Sequence, residues 1–118
     1  IVTYGMGVYW AKQAVKNHPG RVEIIDLRTL IPLDENLVFE RVKIHGKCMV
    51  LTEEQINNSF AEAFAHRISK ACFRFLDAPV EAMGSLNLPA VPINLILEKE
   101  MLPNAEKVSE KIREMLSH

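Results

Sequence analysis

Cys48-Met49-Val50-Leu51-Thr52 is the most continuously apolar stretch of the chain, and its surroundings decide the fold. A strand without polar alternation is covered on both faces, as a central strand of a parallel sheet is. Just beyond it, Ser59 and Glu62 have the S-x-x-E spacing of a helix capping box. Phe60, Phe64, Ile68, Cys72 and Phe75 then follow at helical spacing, which predicts an amphipathic helix packed through that stripe. The helix ends at Asp77-Ala78-Pro79, and Val80 to Gly84 reads as another strand. Glu81 gives that strand one wetter face and places it at a sheet edge.

Upstream, Asp34 is a good N-cap, with Leu33 and Val38 placed as a hydrophobic staple, and the helix it opens stops at Gly46 in a left-handed turn. A loop through Thr29 to Pro32 precedes it. Arg21 to Leu27 reads as a strand carrying Val22, Ile24, Ile25 and Leu27. At the start, Ile1 to Tyr4 is a short strand turned by Gly5-Met6-Gly7 into a helix with Val8, Ala11, Ala14 and Val15 on one face, ending near His18-Pro19-Gly20. The last helix begins near Pro103-Asn104 and packs through Val108, Ile112, Met115 and Leu116. Strand–helix alternation of this kind predicts an α/β fold: three α/β/α layers around a mostly parallel open sheet, with right-handed crossovers.

Composition narrows the function. The 118 residues, 48% apolar and 25% charged, exclude intrinsic disorder and suit a single domain over residues 1–118. Fourteen Lys and Arg against fifteen Asp and Glu leave a net charge of −1, without the basic excess that binding nucleic acid needs. No apolar run approaches the roughly 18 residues of a membrane span, and no signal segment opens the chain. Cys48 and Cys72 sit among apolar neighbours and read as buried free thiols in a reducing compartment, the cytoplasm or a mitochondrial matrix. The chain starts on a β-branched run without Met, so it is expected to be a piece of a larger polypeptide.

Ligands of open parallel sheets sit beyond the carboxyl ends of the strands. Those ends carry Gly5-Met6-Gly7, Asp26 with Arg28, Glu53-Glu54 and Gly84-Ser85. Gly5 and Gly7, with Asp26 about twenty residues on, suggest a dinucleotide fingerprint. Trp10, however, occupies the third glycine position, so a tight turn that needs small residues is the expectation. Asp26, Glu53 and Glu54 lack the extra acids that a Mg²⁺ site takes from the first strand, which ends in Tyr4. Asp26 is instead expected to pair with Arg28 or cap a turn, and Glu53 to be buried at its strand end as a structural or interface carboxylate. Glu62 and His66 lie one helical turn apart but gain no third zinc ligand, and read as solvent-facing. No nucleophile elbow or Cys-x-x-Cys exists. The stretch from Leu86 to Leu102 is irregular, apolar and Pro-rich. It either wraps over its own core or docks another domain, through Leu88, Pro89, Val91, Pro92, Ile93 and Leu95.

Ile1-Val2-Thr3-Tyr4-Gly5, Val22-Glu23-Ile24-Ile25-Asp26-Leu27-Arg28-Thr29-Leu30 and Pro32-Leu33-Asp34 together resemble the C-terminal domain of the transketolase superfamily, as do Glu53, Phe60-Ala61-Glu62, Leu76-Asp77-Ala78-Pro79-Val80, Leu97-Glu98-Lys99 and Leu102-Pro103. The likeness is greatest to the β subunit, or β-like half, of 2-oxo acid dehydrogenases of the pyruvate or branched-chain type. It implies one more strand before residue 1, and a parent enzyme that decarboxylates a 2-oxo acid and reductively acylates lipoyl groups. Thiamine diphosphate and Mg²⁺ would be held by other domains of that parent, with no cofactor, metal or catalytic residue here. The domain would contact other domains or subunits of a dimer or heterotetramer, and the dihydrolipoyl acyltransferase core. Thr52, where many β subunits have His, and Asn58-Ser59, where they have two glycines, depart from the pattern. A stand-alone phosphate-binding module using Gly5 and Gly7, or another transketolase-like enzyme, is the alternative reading.

Overall fold

The computed structural model describes residues 1–28, 34–56, 59–85 and 103–117. In chain order they form β1 (Val2–Thr3), α1 (Met6–Ala14), β2 (Ile25–Asp26), α2 (Glu35–His45), β3 (Met49–Gln55), α3 (Phe60–Cys72), β4 (Glu81–Ser85) and α4 (Ala105–Leu116), with 3₁₀ turns at Val15–Asn17 and Phe73–Phe75. The strands make one parallel sheet in the order β2-β1-β3-β4. Val2 lies opposite Ile25 and Val50, and Thr3 opposite Asp26 and Leu51.

Successive strand residues point to opposite faces. Val2 and Val50 pack with Val38 and Val42 of α2 and with Phe64, Ile68 and Cys72 of α3. Met49 and Leu51 pack on the other face with Ala11 and Ala14 of α1 and with Val108, Ile112 and Met115 of α4. The three-layer α/β/α arrangement is therefore the observed one, with β3 interior and β4 at an edge.

The helix ends follow from local chemistry. Asp34 accepts from the Leu37 amide at 3.1 Å, Ser59 Oγ from Glu62 N at 3.1 Å and Asn104 from Lys107 N at 2.8 Å. Each side chain satisfies an amide that the helix cannot. Gly46 ends α2 at φ 77°, the left-handed region where a side chain is disfavoured. The staple residue Leu33 and the loop 29–32 lie outside the described residues.

Three expectations change. β2 is shorter than the 21–27 apolar run, because its backbone ladder extends only along β1, from Ile25 N to Ile1 O and from Leu27 N to Thr3 O. β3 continues to Gln55, three residues beyond its apolar stretch, since β4 supplies a partner that far: Gln55 pairs with Ser85. Phe75 leaves the α3 stripe. After Cys72 the chain tightens to three residues per turn, which rotates Phe75 off the buried face and leaves it 52% exposed, with the Lys43 amine 5.3 Å from its ring centre.

Candidate functional site

Strand order places the candidate site. From β1 the chain crosses by way of α1 to β2 on one side, while from β3 it crosses by way of α3 to β4 on the other. The crossovers diverge between β1 and β3, and a parallel sheet opens a crevice beyond its carboxyl ends at such a point. Here that crevice is occupied by the chain itself. Tyr4 Oη lies 2.8 Å from Thr52 Oγ1, bridging the ends of the two strands. The Phe60 ring meets Tyr4 edge-on at 5.8 Å and stacks on Phe64 at 5.4 Å, which ties the bridge to the core.

The glycine turn beside it is closed too. Gly5 has φ 58°, and Glu53 Oε1 lies 3.1 Å from where a Cβ on Gly5 would sit. The carboxylate therefore occupies the amino end of α1, where the helix's partial positive charge favours an anion. A Cβ on Gly7 would lie 1.9 Å from Thr3 Oγ1 and 3.3 Å from the Leu51 carbonyl. Gly7 is thus needed for close packing of α1 on the strands. Burial, together with the nearby Glu54 and Glu53 charges, pushes the Tyr4 phenol above its usual range, against the opposing hydrogen bond to Thr52.

These residues do not fit a diphosphate. A phosphoryl group at the Gly5 turn would face the Glu53 carboxylate. Asp26 and Glu53 lie on β2 and β3, which β1 separates by two ladder spacings, roughly 10 Å. Among the described residues no group of three His, Cys, Asp or Glu could hold a metal ion. Asp26 instead accepts from the Arg28 amide at 3.0 Å, and the Arg28 guanidinium lies 4.0 Å away. Arg28 takes φ 53° in this turn. Glu62 and His66 both face solvent.

Of the expected interface residues, Leu88, Pro89, Val91, Pro92, Ile93 and Leu95 lie outside the described residues. Glu53 is exposed rather than buried. Alternation ends at Thr52, whose side chain is buried, and the strand runs past the helix layers so that Glu53 projects over the Gly5 turn. Cys48 and Cys72 are buried free thiols, and burial pushes Cys48 up to about 11. Sequence reasoning missed the Tyr4–Thr52–Phe60 bridge, whose members are far apart in sequence. It also missed Met6 and Tyr9, which α1 leaves 48% and 58% exposed.

The fold is a parallel α/β sheet whose crevice between β1 and β3 is crossed by its own side chains. The family profile described as "Transketolase, C-terminal domain" matches residues 1–108, and the chain belongs to this family. It is 32% identical over 118 residues to the 2-oxoisovalerate dehydrogenase subunit beta of Bacillus subtilis, covering 98% of this chain and 36% of that protein. It is 33% identical over 116 residues to the pyruvate dehydrogenase E1 component subunit beta of Rhizobium meliloti, covering 96% of this chain and 25% of that one. A solved structure described as a split-gene transketolase, an inactive beta4 tetramer, superposes with a TM-score of 0.74 at 17% identity over 98% of this chain and 38% of its own, a likeness of fold. The chain spans about a third or less of each relative's length.

Proposed function

We propose that this chain is the C-terminal contact domain of the decarboxylating component of a 2-oxo acid dehydrogenase, and that catalysis belongs to other parts of that enzyme. The supporting observation is the end-to-end similarity to subunits beta of 2-oxoisovalerate and pyruvate dehydrogenases. The site geometry agrees with it: the crevice where a sheet of this kind takes a ligand is filled by Tyr4, Thr52 and Glu53.

On this reading, the parent enzyme uses thiamine diphosphate with Mg²⁺ to decarboxylate a 2-oxo acid and passes the acyl group to lipoyl carriers on an acyltransferase core. This domain's part is to hold neighbouring domains or subunits in place. Glu53 and the exposed Met6 and Tyr9 would supply contacts, as would Leu88, Pro89, Val91, Pro92, Ile93 and Leu95, which lie outside the described residues.

The test pairs two preparations. The whole polypeptide, purified with its companion subunit, is assayed for thiamine-diphosphate-dependent decarboxylation of 2-oxoisovalerate and of pyruvate. The 118-residue domain is titrated calorimetrically with thiamine diphosphate and assayed alone. The expected result is turnover in the first preparation, with neither heat nor turnover in the second. Micromolar binding or turnover by the domain alone overturns the proposal.

A further inference from the structure

Among the described residues, Arg28 is the one non-glycine with a positive φ, 53°. A side chain at that angle crowds its own backbone, and glycine or asparagine takes it more readily. Two hydrogen bonds hold the angle. The Leu27 amide donates to the Thr3 carbonyl at 2.9 Å, and the Arg28 amide donates to Asp26 Oδ1 at 3.0 Å. Strain of this kind persists only where the surrounding structure fixes it.

The arginine side chain contributes little to the domain that strains for it. It is 87% exposed, and Nε stands 4.0 Å from Asp26 Oδ2, the outer limit of an ion pair. So exposed a pair adds little stability. The other Asp26 oxygen is already engaged by the turn. Neither packing nor pairing among the described residues explains an arginine where a smaller residue would sit without strain. The turn instead works as a mount. It projects a guanidinium from the carboxyl end of β2, the end of the sheet that also carries the Gly5 turn.

We propose that Arg28 pairs with a carboxylate side chain on an adjoining protein surface outside these 118 residues, a contact that sets the domain against its neighbour. The planar guanidinium fork matches a carboxylate through two parallel hydrogen bonds. A free anion would have to surrender its translational freedom to a single exposed arginine, whereas a carboxylate carried on a surface already in contact does not. The inference rests on the contact role proposed above. Its test needs no turnover, so a parent enzyme that fails to decarboxylate 2-oxo acids leaves it standing.

The test uses the whole polypeptide purified with its companion subunit. Arg28→Lys keeps the charge and supplies a primary amine that a water-soluble carbodiimide joins to a carboxylate in ion-pair contact. Mass spectrometry is expected to find that amine linked to an Asp or Glu outside residues 1–118. Arg28→Gln keeps the strain and removes the charge, and should lower the melting temperature by about 1–3 °C at low salt, with the loss fading at high salt. Arg28→Gly removes both, and should melt about 1–2 °C above Arg28→Gln because the backbone relaxes. A cross-link that reaches only Asp26, or none from that position, overturns the proposal. So does an Arg28→Gln protein that melts like the parent, or an Arg28→Gly protein that melts no higher than Arg28→Gln. Millimolar sulfate that suppresses the cross-link, where chloride of equal ionic strength does not, would assign the guanidinium to a free anion and overturn it as well.

Discussion

Gly7→Ala tests whether the glycine turn serves packing or a ligand. The added Cβ would lie 1.9 Å from Thr3 Oγ1, far inside contact distance, and 3.3 Å from the Leu51 carbonyl. Thr3 is buried, and its hydroxyl donates to that carbonyl at 2.9 Å, so it cannot swing aside without breaking a buried hydrogen bond. Overpacking costs about 1–3 kcal/mol, and an orphaned buried polar group costs about 1–3 kcal/mol. The higher helix propensity of alanine offsets about 1 kcal/mol of this. A net loss of about 2–3 kcal/mol should follow, lowering the melting temperature by about 10 °C in a domain of this size.

Thermal and urea unfolding followed by circular dichroism measures the loss. Thr3→Ala in the Gly7→Ala background removes the colliding oxygen, so the double variant should be about 1 kcal/mol or more better than the sum of the singles. A Gly7→Ala protein within about 0.5 kcal/mol of the parent, or strict additivity with Thr3→Ala, would refute the packing explanation. A glycine kept only to admit a ligand would show that pattern.

Ser59→Ala removes both the acceptor for Glu62 N and a donor to the Ile56 carbonyl at 2.8 Å, and should cost about 1–2 kcal/mol in urea unfolding. The hydrogen bond from Arg41 holds the Glu23 carboxyl below its ordinary 4.5. A lowered folded value means stability present above pH 4.5 and lost as pH falls through the folded value, so Arg41→Gln should flatten that acid limb in urea titrations across the same range. The Tyr4 phenol is raised by burial first, and its contribution is present below pH 10 and lost as pH climbs through the folded value. Glu54→Gln should bring the Tyr4 titration, followed by ¹³C-tyrosine NMR, down toward 10. Cys48, pushed up to about 11 by burial, should react with a thiol reagent at neutral pH only as fast as the fold opens; prompt labelling in the native protein would contradict its placement.

What the sequence made legible was local. The Asp34 and Ser59 caps, the Gly46 stop and the apolar run through Cys48–Thr52 each depend on a few neighbouring residues, and each stands in the structure as read. Pitch and pairing were harder to see. Phe75 follows the α3 stripe by spacing, yet a 3₁₀ turn rotates it out, and β3 outruns its apolar stretch because of a partner strand thirty residues away. The site was the least legible part, because its contacts are distant in sequence. Tyr4 meets Thr52 across 48 residues and Glu23 meets Arg41 across 18, and no local pattern encodes either.

The crevice between β1 and β3 shows how a ligand-binding topology becomes a structural one. An open site at that position needs an unobstructed helix amino end and a gap between strand ends. This chain places its own anion, Glu53, at the first and its own hydrogen bond, Tyr4 to Thr52, across the second. An anion already beside the amino end of α1 would repel a phosphate brought to that turn. Met6 and Tyr9 of α1 and Glu53 and Glu54 of β3 are all exposed, a composition suited to contact with another protein surface. Reopening the crevice would therefore take more than removing one side chain. Glu53→Gln alone leaves the Tyr4–Thr52 bridge and the Gly7 packing in place, and should confer no phosphate binding in calorimetry.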